Sequence, residues 1–589
     1  MIFFIFFLLI IDSNPSFSNI TMKPENDSNF SLRNPIRINN NIEMENAGFS
    51  GTGTEIDPFI IEGFKIIDNY TRNLIDLRNV NHHVLIKNNF LSGTNFYGIA
   101  LFESPNCKII NNTISNAGWL AINVRTSHNT IVEKNNIFNV GTGGIEIKNA
   151  QNVTFKDNTI RDSPGFGIKL DSAQNIIIEN NLITNTSLQG IEIESIASIT
   201  SNSLISNNSL FKTGGINLKG NQLKVVNNII NSPGAEPILW IDSGFHNNTI
   251  SNNFITAQQG IFSDQSHNNQ IYGNFFNTTA NSLSLSSSIN NSIMNNYLTG
   301  SISLYNINSS LVKQNIIIEP ESPGLQLYFS SDNLLEANIV FNSSESGLLI
   351  DHGDLSTRKS LDNTIKNNLF ANNSYHGVDL RLGAENNTIK FNDIVFNNID
   401  FSSNQGYDDG EGNLFDQNYW GPNLLTVTLE GSINNKDLNP TTSFFHIIQT
   451  IISITDTDDD FVTLNWESGL AEYYNGTYEL YYSTDQGINW LYIGSEPNFG
   501  YVFDATSFAN KTQLSFKLRV SDVLGFYYEI ELIDGHTVFR LGSKISETTQ
   551  DNVTTTTQDN VTTNSLDMLF IFIGLITILI IKKKIKKGF

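Results

Sequence analysis

Residues 97–106 read YGIALFESPN, 120–129 read LAINVRTSHN, 143–152 read GGIEIKNAQN and 166–175 read FGIKLDSAQN. Each decapeptide starts 23 residues after the one before it. Asn106, Asn129, Asn152 and Asn175 keep that step, as do Asn112, Asn135, Asn158 and Asn181. Within each unit the pattern has period two. Ile99/Leu101, Ile122/Val124, Ile145/Ile147 and Ile168/Leu170 are apolar, and the residues between them are mostly polar. That is a strand with one buried face. A helical repeat usually needs about 33 residues or more, so a 23-residue step with no helical stretch predicts a parallel β-helix. Asparagine recurring at one place in successive coils predicts a ladder along the axis.

The phase carries outward through Leu74–Leu77, Gly215, Gly260, Ser301, Gly347 and Gly377–Leu380, with insertions between coils. It gives about fourteen coils, roughly 65 Å of solenoid at the ~4.8 Å strand spacing. Residues 413–422, NLFDQNYWGP, end the pattern. Beyond residue 447 the step vanishes. Val462-Thr-Leu464-Asn-Trp466 and Leu514-Ser-Phe516-Lys-Leu518-Arg-Val520 alternate, and residues 477–493 read as a hairpin. About ninety residues of short alternating strands predict a β-sandwich.

The Asn-Asn-x-Ile repeats resemble the right-handed parallel β-helix families of carbohydrate-binding and sugar-hydrolysing proteins. These include the NosD-like family and the wider pectate-lyase-like superfamily. The approach GTGTEIDPFIIEGFKI at 51–66 resembles the capping segment of such helices in archaeal surface proteins. The strand around Trp466, the YYSTDQGINW hairpin and the LRVSD strand resemble a fibronectin type III module. The first resemblance implies fold more than activity, since that superfamily holds lyases, hydrolases, epimerases and binding proteins alike.

The ends read as export signals. Residues 2–11 are a ten-residue apolar run, too short for a bilayer and suited to a secretory signal. Residues 566–581 are apolar apart from Asp567 and Thr577 and run into five lysines between Lys582 and Lys587, which predicts a membrane helix with a cytoplasmic tail. The tandem octapeptide TTQDNVTT at 548–563 predicts an extended stalk. N-x-[ST] sequons, as at Asn19, Asn69, Asn152, Asn277 and Asn552, fit an exported glycoprotein. The expected map is a signal peptide at 1–18, an N-terminal segment and cap at 19–50, and the β-helix at 51–422. A linker follows at 423–446, a fibronectin-like sandwich at 447–541 and a Thr-rich stalk at 542–565. A transmembrane helix at 566–581 and a basic tail at 582–589 complete it.

Composition narrows the partners. With 34 Lys+Arg against 58 Asp+Glu the 589-residue chain carries a formal charge of −24, which repels nucleic acid. The single cysteine, Cys107, excludes intramolecular disulfides and Cys-rich metal sites. The expected partners are a polysaccharide or surface glycans, other surface proteins and a single-pass membrane anchor.

Outward positions of the first strand of each coil form two columns. One runs Ala100, Asn123, Glu146, Lys169, Glu192, Asn217, Trp240 and Phe262. The other runs Phe102, Arg125, Lys148, Asp171, Glu194, Lys219, Asp242 and Asp264. Carboxylates bind hydroxyls or act as acid and base, and aromatic rings offer flat platforms to sugar faces. Glu192, Glu194, Asp171 and Lys169 are therefore the catalytic candidates. Arg125, Glu146, Lys148, Trp240, Asp242 and Phe262 are the substrate-binding candidates. No metal site or cofactor is expected: His246 and His267 fall near one turn of adjacent coils without completing a ligand set. The NosD-like resemblance suggests copper, but five Met, one Cys and nine His form no soft-ligand cluster. Calcium at Asp456, Asp458, Asp459 and Asp460, or at Asp408, Asp409 and Glu411, is the weaker option, since the EF-hand glycine and glutamate are missing. The leading expectation is a non-catalytic, membrane-anchored β-helix serving surface architecture, adhesion or glycan binding. The alternative is an extracellular polysaccharide lyase, hydrolase or epimerase.

Overall fold

The computed structural model describes residues 30–441 and 451–537. Short interior segments at 69–71, 196–198, 235–236, 352–357, 398–404, 421–426, 432–434, 458–460, 468–476, 486–487, 497–499, 506, 509–511 and 522–526 are excepted. Two compact units divide between residues 445 and 446.

The first unit is a parallel β-helix. Each coil contributes a front strand such as Ile99–Phe102, a second strand such as Cys107–Ile110 and a third such as Thr113–Ser115. Like strands of successive coils pair in parallel, so the front sheet and the third sheet each contain sixteen strands. The front sheet begins at Ile36–Ile38, pairs Ile36 with Ile75, and ends at Gly406–Asp408. Register is strict where the step is 23: Ile122 faces Ile99 on one side and Ile145 on the other. All of Ile99, Leu101, Ile122, Val124, Ile145, Ile147, Ile168 and Leu170 are fully buried, so the alternation read from the sequence is the core-facing pattern. A six-residue helix, Asn41–Asn46, buries Met44 against the first coil. It is held by a reciprocal cap, with Glu43 N–H donating to Asn40 Oδ1 (2.9 Å) and Asn39 N–H to Glu43 Oε2 (2.7 Å).

The asparagine excess has two structural uses. The turn between second and third strands needs a left-handed residue, and Asn88 (φ 53°), Asn111 (54°) and Asn180 (55°) supply it where a β-branched residue would strain. The next asparagine points inward and forms the ladder. Asn112 Nδ2 donates to Asn135 Oδ1 (3.0 Å), Asn135 to Asn158 (3.0 Å) and Asn158 to Asn181 (2.9 Å). The same oxygen also accepts the backbone N–H of the preceding rung, as Asn158 Oδ1 does from Asn135 N–H at 3.0 Å. The step stays at 23 from Asn89 to Asn181, then varies from 19 (Asn296 to Asn315) to 30 (Asn338 to Asn368) without breaking the ladder. Insertions therefore leave from the loops, and the core rungs stay in phase. Asp437 ends the ladder. Its Oδ2 accepts from Asn418 N–H (3.0 Å), Asn418 Nδ2 (3.1 Å) and Trp420 Nε1 (2.9 Å).

The second unit has a three-stranded sheet (Ile451–Thr457, Phe461–Glu467, Gly500–Asp504) and a four-stranded sheet (Leu491–Glu496, Thr477–Ser483, Gln513–Ser521, Tyr527–Thr537), all antiparallel. Val462, Leu464 and Phe503 from one sheet share a core with Leu480, Phe516 and Leu518 from the other.

The membrane expectation is corrected. No helix among the described residues is long and apolar enough to cross a membrane. The one described helix spans six residues, and 566–581 lies outside the described residues. The transmembrane element of the fold class, the single-pass anchor among the partners and the cell-membrane location accordingly have no supporting helix among the described residues.

Candidate functional site

The front sheet stacks Glu146, Lys169, Glu192, Asn217, Trp240 and Phe262 in one column, each in register with the next. Beside it run Phe102, Arg125, Lys148, Asp171 and Glu194. The flanking strand residues are core, so these side chains face outward. Three of the outward positions are nevertheless buried: Ala100 (0% exposed), Asn123 (5%) and Asp171 (1%). Asp171 differs from the expected open candidate because its neighbours close over it. Lys148 Nζ lies 2.5 Å from its Oδ2, and Ser172 Oγ donates to its Oδ1 at 2.7 Å.

Lys169 is the hub. Its Nζ lies 3.2 Å from Glu192 Oε2 and 2.9 Å from Glu194 Oε2, with all three side chains largely covered. Burial alone would favour neutral lysine, but the two carboxylates outweigh it and the ammonium's pKa is raised. Glu146, the preceding rung, behaves differently. It makes no hydrogen bond or ion pair among the described residues, and burial pushes its carboxyl pKa above the ordinary 4.5 despite the nearby Lys169 and Lys148. One column therefore holds a carboxyl biased towards its protonated form and, two strands on, a carboxylate clamped by a cation. An unpaired, half-buried carboxyl and an ion-paired one in the same column are the ingredients of acid–base chemistry.

An open cleft of about 640 Å³ adjoins this strip. It is lined by Gln189, Lys212, Asn217, Pro233, Pro237 and Trp240, among others. Trp240 is 39% exposed, and its ring sits 4.8 Å from that of Phe262, forming a broad apolar platform. Asn217, a lining residue between Glu192 and Trp240 in the column, has an Oδ1 that is buried and without a hydrogen-bond donor. Asp242 lies off the cleft, paired with Lys219 at 3.4 Å. Arg125 is exposed and stacks in register beside Lys148. The structure thus gathers Lys169, Glu192, Glu194, Glu146 and Trp240 and leaves Asp171 and Asp242 in local ion pairs. The cleft loops were missed by the sequence reading. Their signal was the Pro233-Gly234 and Pro237 insertion, which no 23-residue phase predicts.

The metal candidates are held by other partners. His246 and His267 stack at 4.7 Å with rings 10° apart, and each Nδ1 accepts a backbone N–H, from His267 (2.9 Å) and Ile289 (3.0 Å). They are rungs of a histidine ladder. Burial and the neighbouring ring lower the His246 pKa, matching an Nδ1 that must stay unprotonated to accept. Asp408 Oδ1 accepts from Gly410 N–H and Asn413 Nδ2, both 2.9 Å, and Oδ2 from Asn435 at 2.8 Å. Asp409 accepts from Tyr407 Oη. Asp458, Asp459 and Asp460 lie outside the described residues. Cys107 is buried, with its thiol pushed up to about 12 by desolvation.

The family model described as "Right handed beta helix region" matches residues 47–204, 97–255 and 283–419, together more than half of the chain. No curated protein sequence matches. Among solved structures, the chain is similar to the catalytic domain of a GH87 alpha-1,3-glucanase in complex with nigerose. That match has TM-score 0.31 and 13% identity, over 56% of this chain and 61% of that one. The chain thus spans about three fifths of the glucanase domain's length. It is also similar to the mannuronan C-5 epimerase AlgE6 A-module of Azotobacter vinelandii (TM-score 0.28, 13% identity, 66% and 100% coverage). A third is the DFA-IIIase of Arthrobacter chlorophenolicus A6 (TM-score 0.26, 12% identity, 52% and 84% coverage). The non-catalytic expectation of surface architecture, adhesion or glycan binding is corrected here. These three neighbours are named as enzymes, which stands against that expectation; at 12–13% identity and TM-scores of 0.26–0.31 they show the fold alone.

Proposed function

Because the chain belongs to the right-handed β-helix region family, we propose that it is an extracellular carbohydrate-active enzyme working on the outer face of the front sheet, by glycoside hydrolysis. The observation that carries this is the contrast between Glu146 and Glu192. Glu146 is unpaired and half-buried with a raised pKa, so it serves as the acid that protonates the leaving oxygen. Glu192, ion-paired with Lys169 at 3.2 Å, serves as the base that activates water. They sit two strands apart, about 9.6 Å between backbones, on the scale of the ~6.5–9.5 Å carboxyl separation that accommodates a water in inverting hydrolysis. Glu194 shares Lys169 and holds it in place. Trp240, Asn217 and Gln189 take the adjoining sugar unit in the cleft. Lyase or epimerase chemistry is the second reading, favoured by the stacked cations Arg125 and Lys148, which suit an acidic sugar.

The domain map extends this reading. Residues 1–18 act as a signal peptide, and 447–541 form a fibronectin type III-like module, which the three-plus-four strand division supports. On the same reading, the solenoid is of the NosD-like type.

The test is turnover of neutral and uronic polysaccharides by the purified protein, read as new reducing ends and as unsaturated products. Glu146→Gln and Glu192→Gln should each lower turnover at least a hundredfold while folding normally. Unsaturated products would select the second reading. Full activity in both variants would refute the site.

A further inference from the structure

Nine strands beyond Phe166–Asp171, roughly 43 Å along the axis at ~4.8 Å per strand, the front sheet carries a second polar constellation. One column there runs Gln326, Leu349, Asp379, Tyr407 and Glu430, and the other places Tyr305, Tyr328 and Asp351 in register. Arg381 reaches across both, with Nη1 3.3 Å from Asp351 Oδ2 and Nη2 3.3 Å from Asp379 Oδ2. His376 enters from the loop before the strand. Its Nε2 lies 3.3 Å from Glu430 Oε2, and its ring is 5.6 Å from that of Tyr407.

Asp379 is the informative residue. Val378 and Leu380 on either side of it are core, so its side chain faces outward, yet it is only 6% exposed. Oδ2 is engaged by Arg381 and by Ser346 Oγ (3.3 Å). Oδ1 is buried and accepts no hydrogen bond. An unmatched buried acceptor costs free energy that a bound hydroxyl donor would recover. The half-buried Tyr328 and Tyr305, 40% exposed, offer aromatic faces two and three strands away in the neighbouring column. Burial together with Asp351 holds the Tyr328 phenol protonated, so it remains a donor. Asp351, Asp379, Asp409 and Glu430 outnumber Arg381, so the local field is negative and disfavours a uronate.

We propose that Asp379, Arg381, Tyr328 and Tyr407 form a second saccharide-binding locus for neutral, hydroxyl-bearing sugars, on the same face as the first. It rests on the reading of the front sheet as a carbohydrate surface. A long glycan engaged at both loci gains from effective concentration without any new contact.

The experiment is calorimetric titration of the full chain with maltohexaose, cellohexaose and hexagalacturonate. At least one neutral hexasaccharide should show two classes of site. Asp379→Ala and Tyr328→Ala should each weaken one class at least tenfold and leave the other, which Trp240→Ala weakens about ten- to thirtyfold. Two variants guard against misfolding of either. No neutral binding, binding unmoved by both variants, or tighter binding of hexagalacturonate at the Asp379 locus overturns the proposal. Turnover by Glu146→Gln, measured on the same substrates, decides the enzymatic reading separately.

Discussion

Asn158→Ala removes one rung from the middle of the inner ladder, and its cost can be worked from the partners it strands. Asn158 Nδ2 donates to Val132 O (2.8 Å) and Asn181 Oδ1 (2.9 Å), and Asn158 Oδ1 accepts from Asn135 N–H and Nδ2, both at 3.0 Å. Some of these survive the loss. Asn181 Oδ1 keeps the Asn158 backbone N–H (3.0 Å), and Asn135 Nδ2 keeps Ile109 O (2.9 Å). The Asn135 N–H loses its side-chain acceptor outright and Val132 O loses a donor, both in the interior. At ~1–3 kcal/mol for each orphaned buried group, the loss is roughly 2–6 kcal/mol. An unfolding entropy of about 2.1 cal/mol/K per residue over a solenoid of this size turns that into a fall in Tm of roughly 2–7 °C. Each coil touches only its neighbours, so the damage stays local. Calorimetry should give the Tm, and hydrogen exchange should show the Asn135 amide losing protection while the coils near Asn368 keep theirs. The control is Asn136→Ala, whose side chain faces out of the third sheet with no partner among the described residues. Equal Tm values for the two variants, or an Asn135 amide as protected as in the parent, would refute the ladder as a source of stability.

Three other changes probe the face and the end. The folded pKa of Glu146 lies above its ordinary 4.5, so the folded state holds this proton more tightly than the unfolded chain. The stability it contributes is full below about pH 4.5 and is lost as pH rises through the folded pKa. Glu146→Gln should therefore raise Tm at pH 7 relative to the parent and flatten the pH–Tm profile; a parent curve rising through that window would contradict the assignment. Trp240→Ala should weaken oligosaccharide binding about ten- to thirtyfold, from an aromatic contact of ~1–2 kcal/mol, with Tm changed by less than about 1 °C. Asp437→Ala strands two donors on Asn418 and one on Trp420, and limited proteolysis should then cut first in the last coil; an unchanged cleavage pattern would count against Asp437 as the terminal rung.

The solenoid was readable because its two periods are physical constraints. Ile122/Val124 and Ile145/Ile147 must alternate to reach the core, and Asn135, Asn158 and Asn181 must share one step to touch. A one-residue slip would turn every core side chain outward, so the sequence carries the register openly. The front columns followed from the same phase, and Glu146, Lys169, Glu192 and Trp240 do lie in one line. What the phase leaves out is who neutralises whom. The placement of Asp171 was legible and its burial under Lys148 was not, because burial depends on how a long side chain folds down over a neighbour. Beyond Phe262 and Asp264 the outward columns cross coils as long as the 30-residue step from Asn338 to Asn368. The group around Asp379 and Arg381 therefore stayed hidden although the inner ladder keeps its order there.

The division of labour between the two faces of the chain explains why such a repetitive sequence can still hold a specific site. The inner face is fixed by aliphatic stacking and by asparagine rungs that satisfy one another, so it demands the same residue types in every coil. The outer face has no such demand, since an outward position pairs only with the rungs above and below it. A charge there is cheap when its neighbour is opposite, as with Lys169 between Glu192 and Glu194, and solvent covers the remainder. Departures from pairing are then the informative positions. Asn217 Oδ1 and Asp379 Oδ1 are buried acceptors with no donor, and Glu146 is a half-buried carboxyl with no partner among the described residues. All three lie on the front sheet at outward positions. The polar groups that the fold leaves unmatched on this face mark where a hydroxyl-rich ligand would complete it.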